Sequence, residues 1–395
     1  MTESVHNPDQ YMYDFMQILT HGRKKVGLLI GAGGPVGINV AAESEAHKPL
    51  IPDMKGLMNI VLDTLEGDNL QAFKSIMSER NTENIEYILS HIRSLASVIG
   101  NAEVHGLNGA GYDCLSDKVC KVIKEVVNKD LPKGDNPYSQ LISWVNGIKR
   151  DHAVEIFTTN YDLLFEEAME RVRTPYFDGF SGSKVAFFDP STISNNDLPS
   201  RWIRLWKLHG SINWAKNENH EIVRGSGERE GTMVYPSHVK YDQTQAAPYS
   251  SLFERLKVFL LEPDSVLIAI GFSFADMHVT AKIKECLSAN PTSALLAFQY
   301  NTLDSEFYSV ELAKSTPNVS VYCRDGAVIN GISALWKIGD DPTKNWRLIR
   351  GEYWGGDKFL LGDFVKFAPF LAKSGGSRGI VSNHDTNDIG EKDGI

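Results

Sequence analysis

The chain has 395 residues, 42% of them hydrophobic, and a formal net charge of −10. That length favours one large and one smaller domain. The acidic balance argues against nonspecific nucleic-acid binding, which relies on clustered Lys and Arg. The start Met1-Thr2-Glu3-Ser4-Val5 lacks the basic-then-apolar order of a secretory signal. No apolar run approaches the roughly 20 residues of a membrane helix. The expectation is a soluble, cytoplasmic protein with no membrane and no direct nucleic-acid partner.

Residues 1–25 read as helical on Tyr11, Phe15 and Ile18, and Val26–Ile30 follows as a strand. From 53 to 150 nothing reads as a strand. Met54–Leu65, Leu70–Ser78, Ile85–Ile99, Lys118–Val127 and Tyr138–Ile148 carry helical spacing and predict an all-helical insertion between the first two strands. Val154–Thr158 resumes the strands, a helix over Tyr161–Val172 follows, and 176–200 reads as loop on its Gly, Ser, Asn and Pro. Ile203–Leu208 and the short Thr232–Tyr235 read as strands, and Leu252, Leu256, Phe259 and Leu260 mark a helix. Val266–Ile270, a helix on Val279, Ile283 and Leu287, then Leu295–Phe298 and Val319–Tyr322 continue the alternation.

This pattern predicts an α/β fold: a doubly wound, mostly parallel Rossmann-like sheet with an all-helical insertion domain. The expected division is 1–52 with 151–330 as the sheet domain and 53–150 as the insertion. Residues 331–373 are expected to pack on the core, with a disordered tail over 374–395.

Four motifs each end an apolar run: Gly31-Ala32-Gly33-Gly34, Thr158-Thr159-Asn160-Tyr161-Asp162, Lys207-Leu208-His209-Gly210 and Gly271-Phe272-Ser273-Phe274. Runs of that length suit strands buried on both faces of a parallel sheet, where ligands sit outside the carboxyl ends of the strands. The motifs are therefore expected to converge on one pocket. Glycines at Gly31, Gly33 and Gly34 let backbone approach a phosphate, although an ordinary tight turn has the same text. Asn160 offers paired donor and acceptor groups to a water or a ribose hydroxyl. One of Thr159, Asn160 and Asp162 is expected to cap the following helix. His209 suits a general base near neutral pH, and a purely structural histidine is the alternative. Gly271 and Ser273 suit phosphate or ribose contact, with Ser273 or Asp276 as a helix cap. The four cysteines include no Cys-x-x-Cys pair, so no metal site is expected.

Taken together and in this order, Gly-Ala-Gly, Thr-Thr-Asn-Tyr-Asp, Lys-Leu-His-Gly and Gly-Phe-Ser-Phe resemble the sirtuin family over about residues 26–325. The resemblance implies an NAD pocket. It departs from the family in three places: the four zinc cysteines are missing, Pro35 stands where the family has Ser, and Asn39-Val40-Ala41-Ala42 replaces its Pro-Asp-Phe-Arg. The chain is more similar to the zinc-free sirtuin-like branch of bacterial anti-phage defence, which has a helical insertion and hydrolyses NAD to ADP-ribose and nicotinamide. The stretch Phe177-Asp178-Gly179-Phe180-Ser181-Gly182 resembles the members that pair with a HerA-type ATPase.

What the resemblance implies is an NAD+ nucleosidase with NAD as substrate and no metal, acting as a homo-oligomer with that ATPase as a partner. Asn160, His209 and Asp162 would be its catalytic residues. Gly31, Ala32, Gly33, Gly34, Thr159, Gly271 and Ser273 would bind the dinucleotide, with Asn301 and Asp325 at the adenosine end. An NAD-dependent protein deacylase, or a module that senses NAD or ADP-ribose without catalysis, stays open on the same motifs.

Overall fold

The computed structural model describes residues 4–20, 22–42, 45–194, 198–219, 221–225 and 247–374. The strand expected at Thr232–Tyr235 and, but for Ser374, the tail expected over 374–395 lie outside the described residues. Among the described residues no helix is long and apolar enough to cross a membrane.

The central sheet comprises β1 (Val5–His6), β2 (Lys25–Ile30), β3 (Glu155–Thr158), β4 (Tyr176–Phe177), β5 (Ile203–Lys207), β6 (Ser265–Ile270), β7 (Ala294–Phe298), β8 (Val319–Tyr322), β9 (Gly326–Ile329) and β10 (Ile332–Trp336). Across the sheet they run β1-β10-β9-β8-β7-β6-β2-β3-β5-β4. β9 is antiparallel to both its neighbours, and the other pairs are parallel. Across β5-β3-β2-β6-β7-β8 the chain order reads third, second, first, fourth, fifth, sixth. That is the doubly wound dinucleotide-binding order, whose direction reverses between β2 and β6.

The sheet forms because its strands are apolar on both faces. Residues 26–30 of β2 and all of β6 are buried. Alternate residues serve opposite cores, as a side-chain period of two requires. Leu28, Ile30, Ile156, Ile268 and Ile270 join one cluster with Met12, Phe15 and Leu19 of the helix Pro8–Thr20. Leu29, Phe157, Leu267 and Ala269 join the other with Leu252, Leu256 and Phe259 of the helix Tyr249–Leu261 and with Val279, Ile283 and Leu287 of the helix Met277–Ala289. In the first helix Ile18 lies only at the margin of the core, which is centred on Met12, Phe15 and Leu19.

Between β2 and β3 a four-residue helix, Gly33–Val36, is followed by the helices Met54–Thr64, Gly67–Arg80, Ile85–Val98, Gly109–Val127 and Pro137–Gly147. The last of these lies on the sheet layer, where Tyr138 meets Phe165 edge-on at 4.8 Å and Phe364 at 5.1 Å. Ile85 begins its helix under an Asn84 cap, whose side chain accepts from the amides of Glu86 and Tyr87. Ile88, Leu89 and Ile92 of that helix are buried in the same core as Leu115 and Val119 of the helix Gly109–Val127.

The segment expected to be loop at 176–200 departs from that reading. It supplies β4, the helix Pro190–Ser194 and two short strands, Phe180–Ser181 and Ala186–Phe188. With Trp214–Lys216 and Ile222–Arg224 these strands make a small antiparallel sheet. Strands of two or three residues carry no readable period. Aromatic packing holds this sheet together: Phe180 lies 5.4 Å from Phe188 and 5.1 Å from Trp214, ring centre to ring centre.

The Tyr138 hydroxyl is fully buried with no hydrogen-bond partner among the described residues. A buried unmade hydrogen bond costs about 1–3 kcal/mol. Tyr138→Phe should therefore leave the urea-unfolding midpoint unchanged or raise it. A clear fall would show that the hydroxyl is satisfied.

Candidate functional site

The order reversal brings the ends of β2 and β6 side by side, and there the two backbones touch. The Gly31 amide donates to the Ile270 carbonyl (3.2 Å), Gly33 to Gly271 (2.9 Å) and Gly34 to Gly31 (3.0 Å). A β-carbon on Gly31 would lie 2.4 Å from the Gly271 oxygen and 2.7 Å from the Phe272 α-carbon. Gly271 itself has φ +64, a conformation that favours glycine. These glycines are thus demanded first by the protein's own backbone, and three of the loop's amides are engaged inside it. Ala32 sits half-buried at the same turn.

The second motif docks onto the first. The Asn160 carboxamide donates to the Gly31 carbonyl at 3.0 Å. The Thr158 hydroxyl donates to the Ile30 carbonyl (2.9 Å) and accepts from the Asn160 amide (3.1 Å), and the Thr159 amide donates to Ile30 at 3.4 Å. The N-cap position of the helix Leu164–Arg171 is Leu163 and not one of Thr159, Asn160 and Asp162 as expected, while the Asp162 carboxylate accepts from the Leu164 amide at 3.1 Å. Burial pushes its carboxyl up to about 6 against the opposing pull of Lys207. Lys207, at the end of β5, donates to the Asp162 carbonyl and to Glu166 (2.9 Å). It thereby ties β5 to the segment that follows β3.

His209 lies two residues beyond β5, on a turn closed by the Gly210 amide on the Lys207 carbonyl at 3.1 Å, with Gly210 at φ +93. Its side chain is 6% exposed. Nε2 lies 2.8 Å from Asp276 Oδ2, and Nδ1 lies 3.5 Å from Glu86 Oε1. The Tyr161 ring centre is 6.4 Å away, and the Tyr161 hydroxyl donates to the same Glu86 oxygen at 2.5 Å. Burial disfavours a charged imidazole, but the two carboxylates outweigh it and push His209 up to about 10. Burial likewise opposes ionisation of Asp276, and contact with His209 holds its carboxyl below the usual range all the same. His209 is an imidazolium at neutral pH in this arrangement, not the free base expected from its placement.

Asp276 arrives there because the loop after β6 turns sharply. Phe274 has φ +59, an outlying conformation for a bulky side chain, and is fully buried. Gln299 donates to the Phe272 carbonyl (3.0 Å) and Thr280 to the Phe274 carbonyl (3.0 Å). Asp276 then caps the helix Met277–Ala289 with one oxygen, accepting from His278 (2.9 Å) and Val279 (3.2 Å), and faces His209 with the other. Ser273 is exposed and accepts from the Ala275 amide at 3.4 Å.

Asn301 and Asp325 lie farther along the same edge of the sheet. Asn301 donates to Glu306 at 3.0 Å and Asp325 accepts from the Leu303 amide at 2.9 Å, so both order loops beyond β7 and β8. The structure thus joins Gly31–Gly34, Thr159, Asn160 and Gly271 at the ends of β2, β3 and β6, and ties His209 beyond β5 to the loop after β6 through Asp276. Asp162 is buried beside Lys207; Asn301 follows β7, the neighbour of β6, and Asp325 follows β8, one strand farther. Sequence reasoning missed Glu86 and the second role of Asp276. No motif in the insertion marks Glu86, and the expected cap at Asp276 is the only signal for that residue.

Two cavities lie elsewhere. One of about 450 Å³ opens among Leu163, Glu166, Tyr176, Lys184, Asn213 and Arg224, and one of about 230 Å³ lies at the amino ends of the strands near Glu155 and Arg255. Among the described residues no group of three or more His, Cys, Asp or Glu is arranged to hold a metal, and all four cysteines are free thiols.

Comparison with known proteins agrees with the motif segment. Residues 154–316 match the family model described as the SIR2-like domain, a span that includes Asn160, His209, Gly271 and Asp276 and leaves out Gly31 and Glu86. A solved Sir2 enzyme is 14% identical, over 73% of this chain and 86% of that one, with TM-score 0.34. A mutant Sir2 homologue in complex with ADP-ribose is 12% identical, over 92% and 95%, with TM-score 0.35. Cytosolic 5'-nucleotidase IIIB bound to cytidine is 8% identical, over 80% and 87%, with TM-score 0.32. No curated protein matches. Residues 154–316 are thus similar to a SIR2-like domain, and they lie within a doubly wound α/β sheet.

Two outcomes follow from the geometry. Gly31→Ala must push two backbones apart and should cost about 1–3 kcal/mol or more, the scale of overpacking; an unchanged urea midpoint would argue against the interlock. A histidine raised from 6.5 to about 10 contributes stability that is fully present below pH 6.5 and lost as pH rises through 10. His209→Gln should therefore be much less stable than the parent at pH 6 and close to it above pH 10. An equal gap at both pH values would remove the ion pair as the cause.

Proposed function

We propose that the chain cleaves NAD+ at the nicotinamide–ribose bond, giving ADP-ribose and nicotinamide, and that it serves as a bacterial anti-phage effector. The observation that carries this reading is the hydrogen bond from Asn160 to Gly31. It ties the Asn160 carboxamide to the loop that leaves β2, next to the end of β6. In an α/β sheet of this order, the crevice at the reversal is where a dinucleotide lies.

The bond broken joins ribose to a cationic leaving group, so departure of nicotinamide needs no acid and passes through an oxocarbenium-like state. Water then adds to the anomeric carbon and gives up a proton. In this reading Asn160 orients that water or the ribose hydroxyls, and His209 receives the proton, directly or through a ribose hydroxyl, once its ring is neutral. Asp162 acts at one remove, by accepting from the Leu164 amide and, through its carbonyl, from Lys207. The loops of Gly31–Gly34, Thr159, Gly271 and Ser273 would line the diphosphate and adenine ribose, with Asn301 and Asp325 toward the adenosine end. In this reading NAD is the substrate and the reaction calls on no metal. A homo-oligomer and a HerA-type ATPase partner belong to the same proposal and rest on the motif resemblance alone.

The test is nicotinamide release from NAD+ by the purified chain, alone and with the ATPase. Asn160→Ala and His209→Ala should each lower it by at least ~100-fold, the scale of a lost catalytic group, while both variants stay folded by circular dichroism. Parent-like cleavage in either variant removes that residue from the mechanism. A requirement for an acylated peptide would favour the deacylase. One observation, the burial of His209 between two carboxylates, favours sensing without cleavage. ADP-ribose binding with no nicotinamide release under any condition would decide for that reading.

A further inference from the structure

His209 does not sit in the usual arrangement of a histidine base. Such a base is oriented by a carboxylate on one ring nitrogen and turns the other toward its substrate. Here Asp276 takes Nε2 at 2.8 Å, and Glu86 stands 3.5 Å from Nδ1. The two carboxylates come from different parts of the chain. Asp276 is fixed by the fold, since its other oxygen caps the helix Met277–Ala289. Glu86 belongs to the helical insertion, in the first turn of the helix Ile85–Val98, where its charge also suits the positive end of the helix dipole. A hydrogen bond from Tyr161, the residue after Asn160, holds Glu86 in place. The groups facing the ring are thus Glu86 from the insertion, Asp276 from the loop after β6 and Tyr161 from the loop after β3. Lys207, on the histidine's own strand, is turned away to Glu166 and the Asp162 carbonyl.

We propose that Glu86 is a positioning residue for His209: it closes the Nδ1 side of the ring that Asp276 holds by Nε2, and base chemistry at this site begins when the insertion withdraws Glu86. With Glu86 in place, both ring nitrogens face carboxylates and neither is open to a ribose hydroxyl or a water. With Glu86 displaced, Asp276 still orients Nε2, Nδ1 no longer faces a carboxylate, and the ring loses one of the two charges that keep it protonated. A movement of the insertion would thereby be converted into a change in the histidine's protonation. The inference rests on the NAD reading for its chemistry, but the Glu86–His209 contact can be tested apart from that reading.

The experiment uses the full chain and Glu86→Gln, which keeps an oxygen for Tyr161 and removes the charge. Glu86→Ala serves as a second variant, and folding of both is checked by circular dichroism. The His209 ring is titrated by proton–nitrogen NMR, and nicotinamide release from NAD+ is followed from pH 6 to 10. Glu86→Gln should lower the His209 midpoint by at least one pH unit and move the rising limb of the pH–rate profile down by the same amount. The rate at pH 7 should rise by about tenfold, because well below the midpoint the neutral fraction of the ring grows tenfold for each pH unit by which the midpoint falls. An unchanged midpoint in both variants overturns the proposal whatever the activity. A lower midpoint with a rate at pH 7 that falls or stays constant also overturns it, because Glu86 would not be restraining the base. A lower midpoint when no protein releases nicotinamide at any pH upholds the contact between insertion and histidine and overturns the NAD reading instead.

Discussion

The site depends on how closely two strand ends approach each other. Where the sheet reverses direction, Gly31 and Gly271 bring main chain against main chain, with no room for a side chain on either. That contact fixes the level at which the loops leave β2 and β6. The Gly31 carbonyl then receives Asn160 from β3, and the loop beyond Gly271 delivers Asp276 to His209 beyond β5. The four separate motifs are linked to one another at the strand ends by these contacts. Moving one strand end would disturb all of them.

The electrostatics follow the same plan. Two cationic groups are buried at this end of the molecule, and each is met by a carboxylate: Lys207 by Glu166, and His209 by Asp276 and Glu86. Burial of an unpaired charge is costly, so a doubly contacted imidazolium under the insertion is a stable resting state. A base must be able to give up that charge. In the proposed account Asp276 holds the ring, and the charge that is withdrawn, Glu86, is carried by the helical insertion.

Much of the fold was legible in the sequence. Apolar runs such as Val266–Ile270 and Val26–Ile30 carry the strands, and the helical spacing of Leu252, Leu256 and Phe259 marks the layer against them. The strand-end placement of Asn160 and His209 was legible for the same reason, since turn chemistry at the end of a buried run is local. Three features were not. The small sheet over Phe180–Ser181 and Ala186–Phe188 is too short to show a period. The hairpin of β9 and β10 extends the sheet through residues, such as Ile332 and Leu335, that are exposed on its face and break the apolar pattern. Glu86 reaches His209 across more than a hundred positions of chain, and no local rule links a residue in the first turn of one helix to a turn on another strand. Similarly, the glycines of the first motif read as a place for phosphate. The backbone contact between Gly31 and Gly271 is a sufficient reason for them by itself.

The most direct measurement is a crystal structure of the chain with ADP-ribose. The diphosphate is expected over the crevice between the ends of β2 and β6, with the free ribose between Asn160 and His209 and Glu86 drawn back from the imidazole. ADP-ribose seated instead in the cavity among Glu166, Tyr176 and Arg224, with Asn160 and His209 untouched, would show that the crevice is not the site.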